Sequence, residues 1–210
     1  MAADMISMQL SELASNLKVF SGFAAGYQDL RDGIEIPLLE DCLTSEAFAP
    51  ILQETIVLEL AGPGQIVYRL CGTRVEERIG MDMTGQNLVD FVPKDRREDL
   101  FKDISAMVSN CCGNYSRYRN SYSDGRHLEG ENLSLPVRSE QTPRKIFLIA
   151  LNSTGEIGKM DVRLQGYNKG QQTQIGAEWL RSVFVDVGFG VPGQTTFEAQ
   201  LNSLARAANS

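Results

Sequence analysis

Apolar residues near the N-terminus recur at intervals of four and three, which is the spacing of a helix with one apolar stripe. The stripe lasts for about three heptads and consists of Ile6, Leu10, Leu13, Leu17, Phe20, Ala24 and Tyr27. Gly22 and Gly26 weaken its second half, because glycine costs roughly 1 kcal/mol relative to alanine inside a helix. We therefore expect the firm part of the helix over about residues 5–20. Such a stripe either packs on its own domain or forms a homodimer seam, and the spacing favours neither.

The pattern then changes to runs rich in β-branched residues, separated by helical segments. Ala-Gly-Pro-Gly joins the first two runs and Asp124-Gly125 joins the next two, so both pairs are predicted hairpins. Short helices and one longer helix, beginning at Pro93 and ending before Gly113, lie between these pairs. The first short helix follows Gly72, and Thr73 with Glu76 predicts a capping box at its start. The predicted strands are residues 55–60, 65–71, 115–122, 127–137 and 146–151. The fold class is therefore α+β, with a five-stranded antiparallel sheet and helices on one face.

The last part of the chain has less distinctive patterning. Alternating apolar residues between Trp179 and Val191 predict one more half-buried strand, and Thr195 with Glu198 predicts a capped final helix. We expect an extension of the main domain here, with no second independent domain. The predicted divisions are an N-terminal helix over 1–26, a domain with its lead-in over 27–151, and a C-terminal extension over 152–210.

The net charge and the cysteines indicate which partners the protein is not expected to bind and in which compartment we expect it. The 210 residues include 20 basic and 27 acidic side chains, a net charge of −7. This balance argues against a nucleic-acid or membrane-surface partner, since phosphate neutralisation needs clustered lysine and arginine. The four cysteines show no CxxC spacing, and neither a signal peptide nor a bilayer-length apolar run is visible. We expect a cytoplasmic protein with reduced thiols.

Catalytic motifs are missing from the sequence. The one histidine excludes multi-histidine metal sites, and no GxSxG elbow, phosphate loop or HExxH motif is present. A non-enzymatic protein is therefore expected. The alternative is a small α+β enzyme that uses a buried carboxylate, with Glu129 or Glu131 as the candidates.

Three clusters of residues together form a recognisable signature. They are Tyr27, Leu30, Arg31, Gly33 and Pro37, then Tyr68, Arg69, Leu70, Gly72 and Thr73, then Gly80, Asp82, Thr84, Gly85 and Leu88. The signature resembles that of a bacterial family of largely standalone PAS-domain proteins, common in alphaproteobacteria, and the resemblance covers roughly residues 27–151. It implies a PAS fold and a cytoplasmic sensory or regulatory module, often dimeric, that delegates its output to a partner protein.

In a PAS fold the ligand pocket lies between the sheet and the helices, so residues on the strands are the candidates. An aromatic and basic cluster suits a carboxylate or phosphate, although strand alternation alone also produces such a stripe with arginine in water. Asn132 is either solvent-facing or pocket-lining. The candidate ligand-binding residues are Tyr68, Tyr118, Tyr122, Arg117, Arg119 and Asn132.

The resemblance also allows a cofactor-loaded sensor, and the sequence disfavours both common cofactors. Haem-binding members need an axial histidine, but His127 follows a turn at a strand edge. The Asn-Cys-Arg-Phe-Leu-Gln run of flavin-adduct members is missing, and Cys111 and Cys112 instead end the long helix, where a thiol pKa is raised. No cofactor is required by the sequence. The expected partners are a second copy through the N-terminal helix, a signalling protein and a small molecule.

Overall fold

The structure is a computed structural model that describes residues 7–31, 35–122, 125, 127–154 and 174–193. Its strands form one seven-stranded sheet in the order β1-β7-β4-β5-β6-β2-β3. Neighbouring strands are antiparallel except for the parallel pair β1 and β7. The strands are β1 (Ser7–Gln9), β2 (Thr55–Gly62), β3 (Gln65–Cys71), β4 (Gly113–Tyr122), β5 (His127–Arg138), β6 (Ile146–Thr154) and β7 (Gln174–Asp186).

All five strands predicted for the central sheet are present, so the α+β class and the antiparallel sheet are confirmed. The additional strand predicted near the C-terminus is β7, which pairs with β4 and extends the same sheet. The helix expected from Thr195 lies outside the described residues. The longer helix begins at Arg97, because a short 3₁₀ turn follows Pro93.

Helices lie on both faces of the sheet. The helices are α1 (Leu10–Asn16), α2 (Lys18–Asp29), α3 (Leu39–Thr44), α4 (Thr73–Ile79) and α5 (Arg97–Asn110), with 3₁₀ turns at Ala49–Glu54, Leu88–Phe91 and Lys94–Arg96. The helices between the two strand pairs, α4 and α5, lie on one face of the sheet as expected, and the N-terminal helices α1, α2 and α3 cover the other face. We call the face covered by α1, α2 and α3 the outer face, and the face covered by α4 and α5 the inner face. Each face has its own apolar core.

The N-terminal stripe packs on the outer face of its own sheet. Leu13, Phe20 and Tyr27 are fully buried there, and the Phe20 ring meets Tyr115 of β4 edge-on at 6.1 Å. The Tyr27 hydroxyl donates to the carbonyl of Pro136 at 2.6 Å. These side chains are therefore occupied within one chain, and a dimer seam made of the same side chains would require them to unpack.

The ends of the N-terminal helices also differ from the prediction, which placed the most stable helical part over residues 5–20. The helix breaks at Leu17, and α2 then continues through both glycines to Asp29. Gly26 lies where an added Cβ would come within 3.1 Å of Ala47 and Phe48, so close packing compensates for its low helix propensity. Tertiary contact decides the extent of this helix, as is usual for amphipathic helices in proteins.

A buried carboxylate on β2 gives the fold an acid-sensitive contact. Glu59 is 4% exposed, accepts a hydrogen bond from Arg69 Nε at 2.6 Å, and bonds to Lys145. Burial alone raises the pKa of Glu59, but the hydrogen bonds and charges of Lys145 and Arg69 outweigh it and hold the pKa below its ordinary value. The contact therefore stabilises the fold above the unfolded-state pKa of glutamate and is lost as pH falls through the lower folded-state pKa.

We expect Glu59→Gln to lower the free energy of unfolding at pH 7 by about 1–2 kcal/mol, because two cations lose their charged acceptor. Urea unfolding measured between pH 3 and pH 7 should show a flatter pH dependence in the variant than in the wild type. Glu98→Gln, which alters an exposed pair with Lys102, is the matched control and should change little. Parallel pH curves for the wild type and Glu59→Gln would contradict the assignment.

Candidate functional site

A cavity of about 510 Å³ lies between the inner face of the sheet and helices α4 and α5. Its helical wall is mostly apolar. The apolar residues on that wall are Val75, Ile79, Leu100, Ile104 and Met107. Its sheet side is polar, which is unusual for a surface that faces the interior of a domain.

The polar side of the cavity is one row of uncharged side chains that crosses four neighbouring strands. Backbone register pairs Asn152 with Asn132, Asn132 with Ser116, and Ser116 with Ser182. We call these four residues the polar row. It arises because alternate positions of β4, β5 and β6 face inward, while Tyr115, Leu133 and Leu151 alternate with them in the outer core.

Hydrogen bonds hold most of the polar row in place. Asn132 donates to Asn152 at 3.0 Å and accepts from the Ser134 hydroxyl at 2.7 Å. Asn114, beside the row, donates to the Ser182 hydroxyl at 2.7 Å. The carboxamides are thus oriented by their neighbours, which makes the row a fixed pattern of donors and acceptors.

Two buried hydroxyls on the cavity have no hydrogen-bond partner among the described residues. Ser116 is 3% exposed and Tyr68 is 6% exposed, and both line the cavity. Burial raises the pKa of Tyr68, so the phenol is neutral and can both donate and accept. Since both residues line the cavity, these two hydroxyls are available to a molecule in the cavity.

Tyr118 lies over β5 at the same cavity. An added Cβ at the cross-strand neighbour Gly130 would come within 2.7 Å of the Tyr118 ring and hydroxyl. Gly130 therefore leaves room for the aromatic ring to lie against the strand. A larger residue at position 130 would push that ring toward the cavity.

Charged residues complete the lining on the α4 and α5 side, and most of them are paired. Arg78 pairs with Glu54, Arg96 is 3.9 Å from Asp99, and Lys102 is 2.7 Å from Glu98. Asp103 has no ion-pair partner in the described part of the chain. Burial, with a smaller contribution from the Asp99 charge, raises the pKa of the Asp103 carboxyl.

The candidate residues from the sequence divide between the two faces. Tyr68, Tyr118 and Asn132 line the cavity. Arg117 and Arg119 do not, and grouping them with Tyr118 was wrong because adjacent strand residues point to opposite faces. They pair with Glu131 and Glu129 on the outer face. The side chain of Tyr122 lies outside the described residues.

The two carboxylates proposed for an enzyme lie away from the cavity. Glu131 is buried, accepts a hydrogen bond from the Tyr115 hydroxyl, and lies 3.9 Å from Arg117 Nε. Glu129 is exposed, and the hydrogen bond from Arg119 lowers its pKa. Both interactions favour structural roles on the outer face, so the geometry gives no support to catalysis by these groups.

The single histidine and the cysteines are also outside the cavity lining. His127 is exposed near the β4–β5 turn, with Nδ1 3.0 Å from the Ser121 hydroxyl. Burial raises the pKa of the Cys42, Cys71 and Cys112 thiols to about 12, so these thiols are protonated at neutral pH. Within the described ranges, no group of three histidine, cysteine or acidic residues is placed to hold a metal ion.

The lining residues that the sequence interpretation missed include Asn114, Ser116, Asn152, Ser182 and Asp103. A signal for the first two was present, because polar residues alternate with Tyr115 along β4. Nothing in the sequence shows that this polar side would meet helices instead of water. That information depends on which face α4 and α5 cover.

Several of the recognised signature residues shape β3 and the segment that follows α4, beside the cavity. The Tyr68 N–H donates to Gln86 O at 3.0 Å, and its carbonyl accepts from the Gly85 N–H at 2.8 Å. The Asp82 carboxylate accepts from the Thr84 N–H at 2.8 Å and shapes the turn. The signature therefore fixes the strand that carries Tyr68 and the segment that leads to Leu88.

Further signature residues start α4. Thr73 was expected to cap this helix, but it is the first helical residue, and Gly72 occupies the N-cap without a side-chain hydrogen bond.

None of the described helices is long and apolar enough to cross a membrane.

Comparison with solved structures gives matches to light-oxygen-voltage domains. The light-state Aureochrome1 LOV structure has 10% identity and a TM-score of 0.39, over 54% of this chain and 90% of that one. A LOV protein of Rhodobacter sphaeroides has 14% identity and a TM-score of 0.38, over 51% and 60% of the two chains. An RNA-binding light-oxygen-voltage receptor has 18% identity and a TM-score of 0.40, over 55% and 32%.

No curated protein matches the chain. A family model described as a PAS domain matches residues 18–151, from the start of α2 to β6. That range includes α4, α5 and every strand of the sheet except β1 and β7. Because the match covers well over half of the sequence, the chain belongs to the PAS domain family.

Proposed function

We propose that this PAS protein is a non-enzymatic sensor that binds a small molecule in the inner cavity and signals through contact with another protein. As a PAS domain it is a sensory or regulatory domain, and PAS domains commonly mediate protein interactions. The ligand and the mode of signalling are the proposed parts. A cytoplasmic location stays a prediction.

The polar row opposite an apolar wall is the observation that supports ligand binding. A sheet face that only packs against helices is filled with apolar side chains, as the inner ends of β2 and β6 are here. In the cavity, by contrast, Ser116 and Tyr68 present hydroxyls without partners in the described chain. Ligand sites combine these features: mainly apolar walls with a few fixed polar groups.

Strand β4 offers a physical route from the cavity to the protein surface. Ser116 and Tyr118 face the cavity, whereas Tyr115, on the opposite face of the same strand, contacts Phe20 of α2. A ligand that shifts β4 would therefore change the packing of α2 on the outer face. A homodimer formed through the N-terminal helices would use the exposed side of α1 and α2, where Val19 is 48% exposed, because the buried stripe is already occupied.

We expect Gly130→Ala and Ser116→Val to weaken small-molecule binding by about tenfold or more, since one displaces Tyr118 and the other removes a cavity hydroxyl. The measurement is amide NMR of the full chain with a fragment library, and wild-type shifts should cluster on the polar row. Native mass spectrometry of the protein as purified would identify any bound molecule.

Ser121→Val is the matched control, because Ser121 lies on the same strand and bonds to the exposed His127. It should leave binding unchanged. Fragments that shift only residues outside the cavity, or that bind Gly130→Ala and Ser116→Val as tightly as the wild type, would overturn the proposal.

A further inference from the structure

Resting on the proposed ligand-binding function, we infer that the cavity accepts a cationic ligand, with an ammonium or amidinium group held by Asp103. This reverses the charge expected from the sequence, where Arg117 and Arg119 suggested a carboxylate or phosphate. The inference depends on which charged groups of the lining are already paired and which are free.

Three of the four basic residues on the cavity lining are paired with carboxylates. Arg78 pairs with Glu54, and its side chain is only 18% exposed. Arg96 and Lys102 pair with neighbours on α5, and most of each side chain is in solvent. The fourth, Arg181 of β7, has no ion-pair partner among the described residues, but its side chain is exposed to solvent. An anionic ligand would therefore have to displace an existing carboxylate or attract a solvated side chain.

The acidic side of the lining is different, because Asp103 is half-buried without a cation in the described residues. It lies on the face of α5 that carries Leu100, Ile104 and Met107, at spacings of three and four residues. Its raised pKa reflects the cost of keeping this carboxylate partly desolvated beside Asp99. A ligand cation would neutralise that charge and form a charge-assisted hydrogen bond.

The polar row suits the same ligand. The hydroxyl oxygens of Ser116 and Tyr68 can accept hydrogen bonds. Asn114 donates to Ser182 through its amide nitrogen, and its carbonyl oxygen has no donor within the described chain. A group with several N–H donors therefore has acceptors on the sheet and a carboxylate on α5. The apolar helical wall leaves space for a hydrocarbon or aromatic body.

Three compounds of one shape and different charge test this inference: benzamidine, benzamide and benzoate. We expect NMR titration of the full chain to show benzamidine binding about tenfold more tightly than benzoate, with shifts at the polar row and at Asp103. Asp103→Asn should reduce benzamidine affinity about tenfold and leave benzamide affinity unchanged. Glu77→Gln, at an exposed position of α4 outside the lining, should leave both affinities unchanged.

The possible outcomes distinguish failure of the cationic ligand from failure of the proposed ligand-binding function. Benzoate binding more tightly than benzamidine, or Asp103→Asn with unaltered benzamidine affinity, would overturn the cationic ligand while leaving a ligand-binding cavity. Benzamide binding at the polar row as tightly as benzamidine would do the same. If neither the three compounds nor the fragment library shifts the polar row, both the cationic ligand and the proposed function fail.

Discussion

Gly72→Ala is expected to lower the free energy of unfolding by about 3 kcal/mol or more, a large effect for one added methyl group. An added Cβ would lie 2.4 Å from the carbonyl oxygen of Gln53 and 2.5 Å from that of Leu52. Both obstacles are backbone atoms, which cannot turn away as a side chain would. The Gly72 N–H also donates to Thr55 O at 2.8 Å, so the strand end is fixed from a second direction.

The backbone conformation makes this prediction a test of sterics alone. Gly72 has φ −68° and ψ 147°, which any residue adopts without strain. Gly22 is the matched control, because it lies exposed within α2 with no atom within 4 Å of an added Cβ. Gly22→Ala should raise stability by about 0.5–1 kcal/mol. Urea unfolding of both variants tests the pair, and equal effects of the two substitutions would contradict the proposed cause.

Gly72 also shows which features of the structure the sequence could predict and which it could not. The residue stood out as part of a signature, and the turn into α4 was predicted from Gly72 and Thr73. The expected capping role of Thr73 was wrong, because Gly72 occupies the N-cap, and it is the close approach of Gly72 to residues 52 and 53 that requires a glycine there. Contacts between segments about 20 residues apart leave no periodic pattern. Strands were predictable because period-two alternation is a property of each strand by itself.

The residues of the cavity also differ in how far the sequence could predict them. The positions of Tyr68 and Asn132 on strands were predictable, whereas their placement on a cavity depended on which face the helices cover. The error at Arg117 was avoidable, because Tyr118 is its neighbour and adjacent strand residues cannot share a face. Asp103 had no such signal. It became a candidate only when the ion pairs of the other charged lining residues were known.

Phe20→Ala is expected to lower the free energy of unfolding by about 3–5 kcal/mol, the usual cost of removing a buried phenylalanine. Phe20 is fully buried in the outer core, where its ring also contacts Tyr115 edge-on. The loss arises within one chain, so it should be the same at all protein concentrations. The mass measured by analytical ultracentrifugation should also match that of the wild type.

Val19→Ala is the matched control, because Val19 precedes Phe20 on the same helix and is 48% exposed. Its effect on stability should stay within about 0.5 kcal/mol. A dimer seam built from the stripe would behave differently: the cost of Phe20→Ala would shrink as the protein is diluted and the wild type also dissociates, and the mass measured for the variant would fall toward that of one chain. That result would show that the N-terminal helices leave the outer face to pair with a second copy. A constant cost and an unchanged mass would instead leave the exposed side of α1 and α2 as the surface through which this part of the chain can contact a partner.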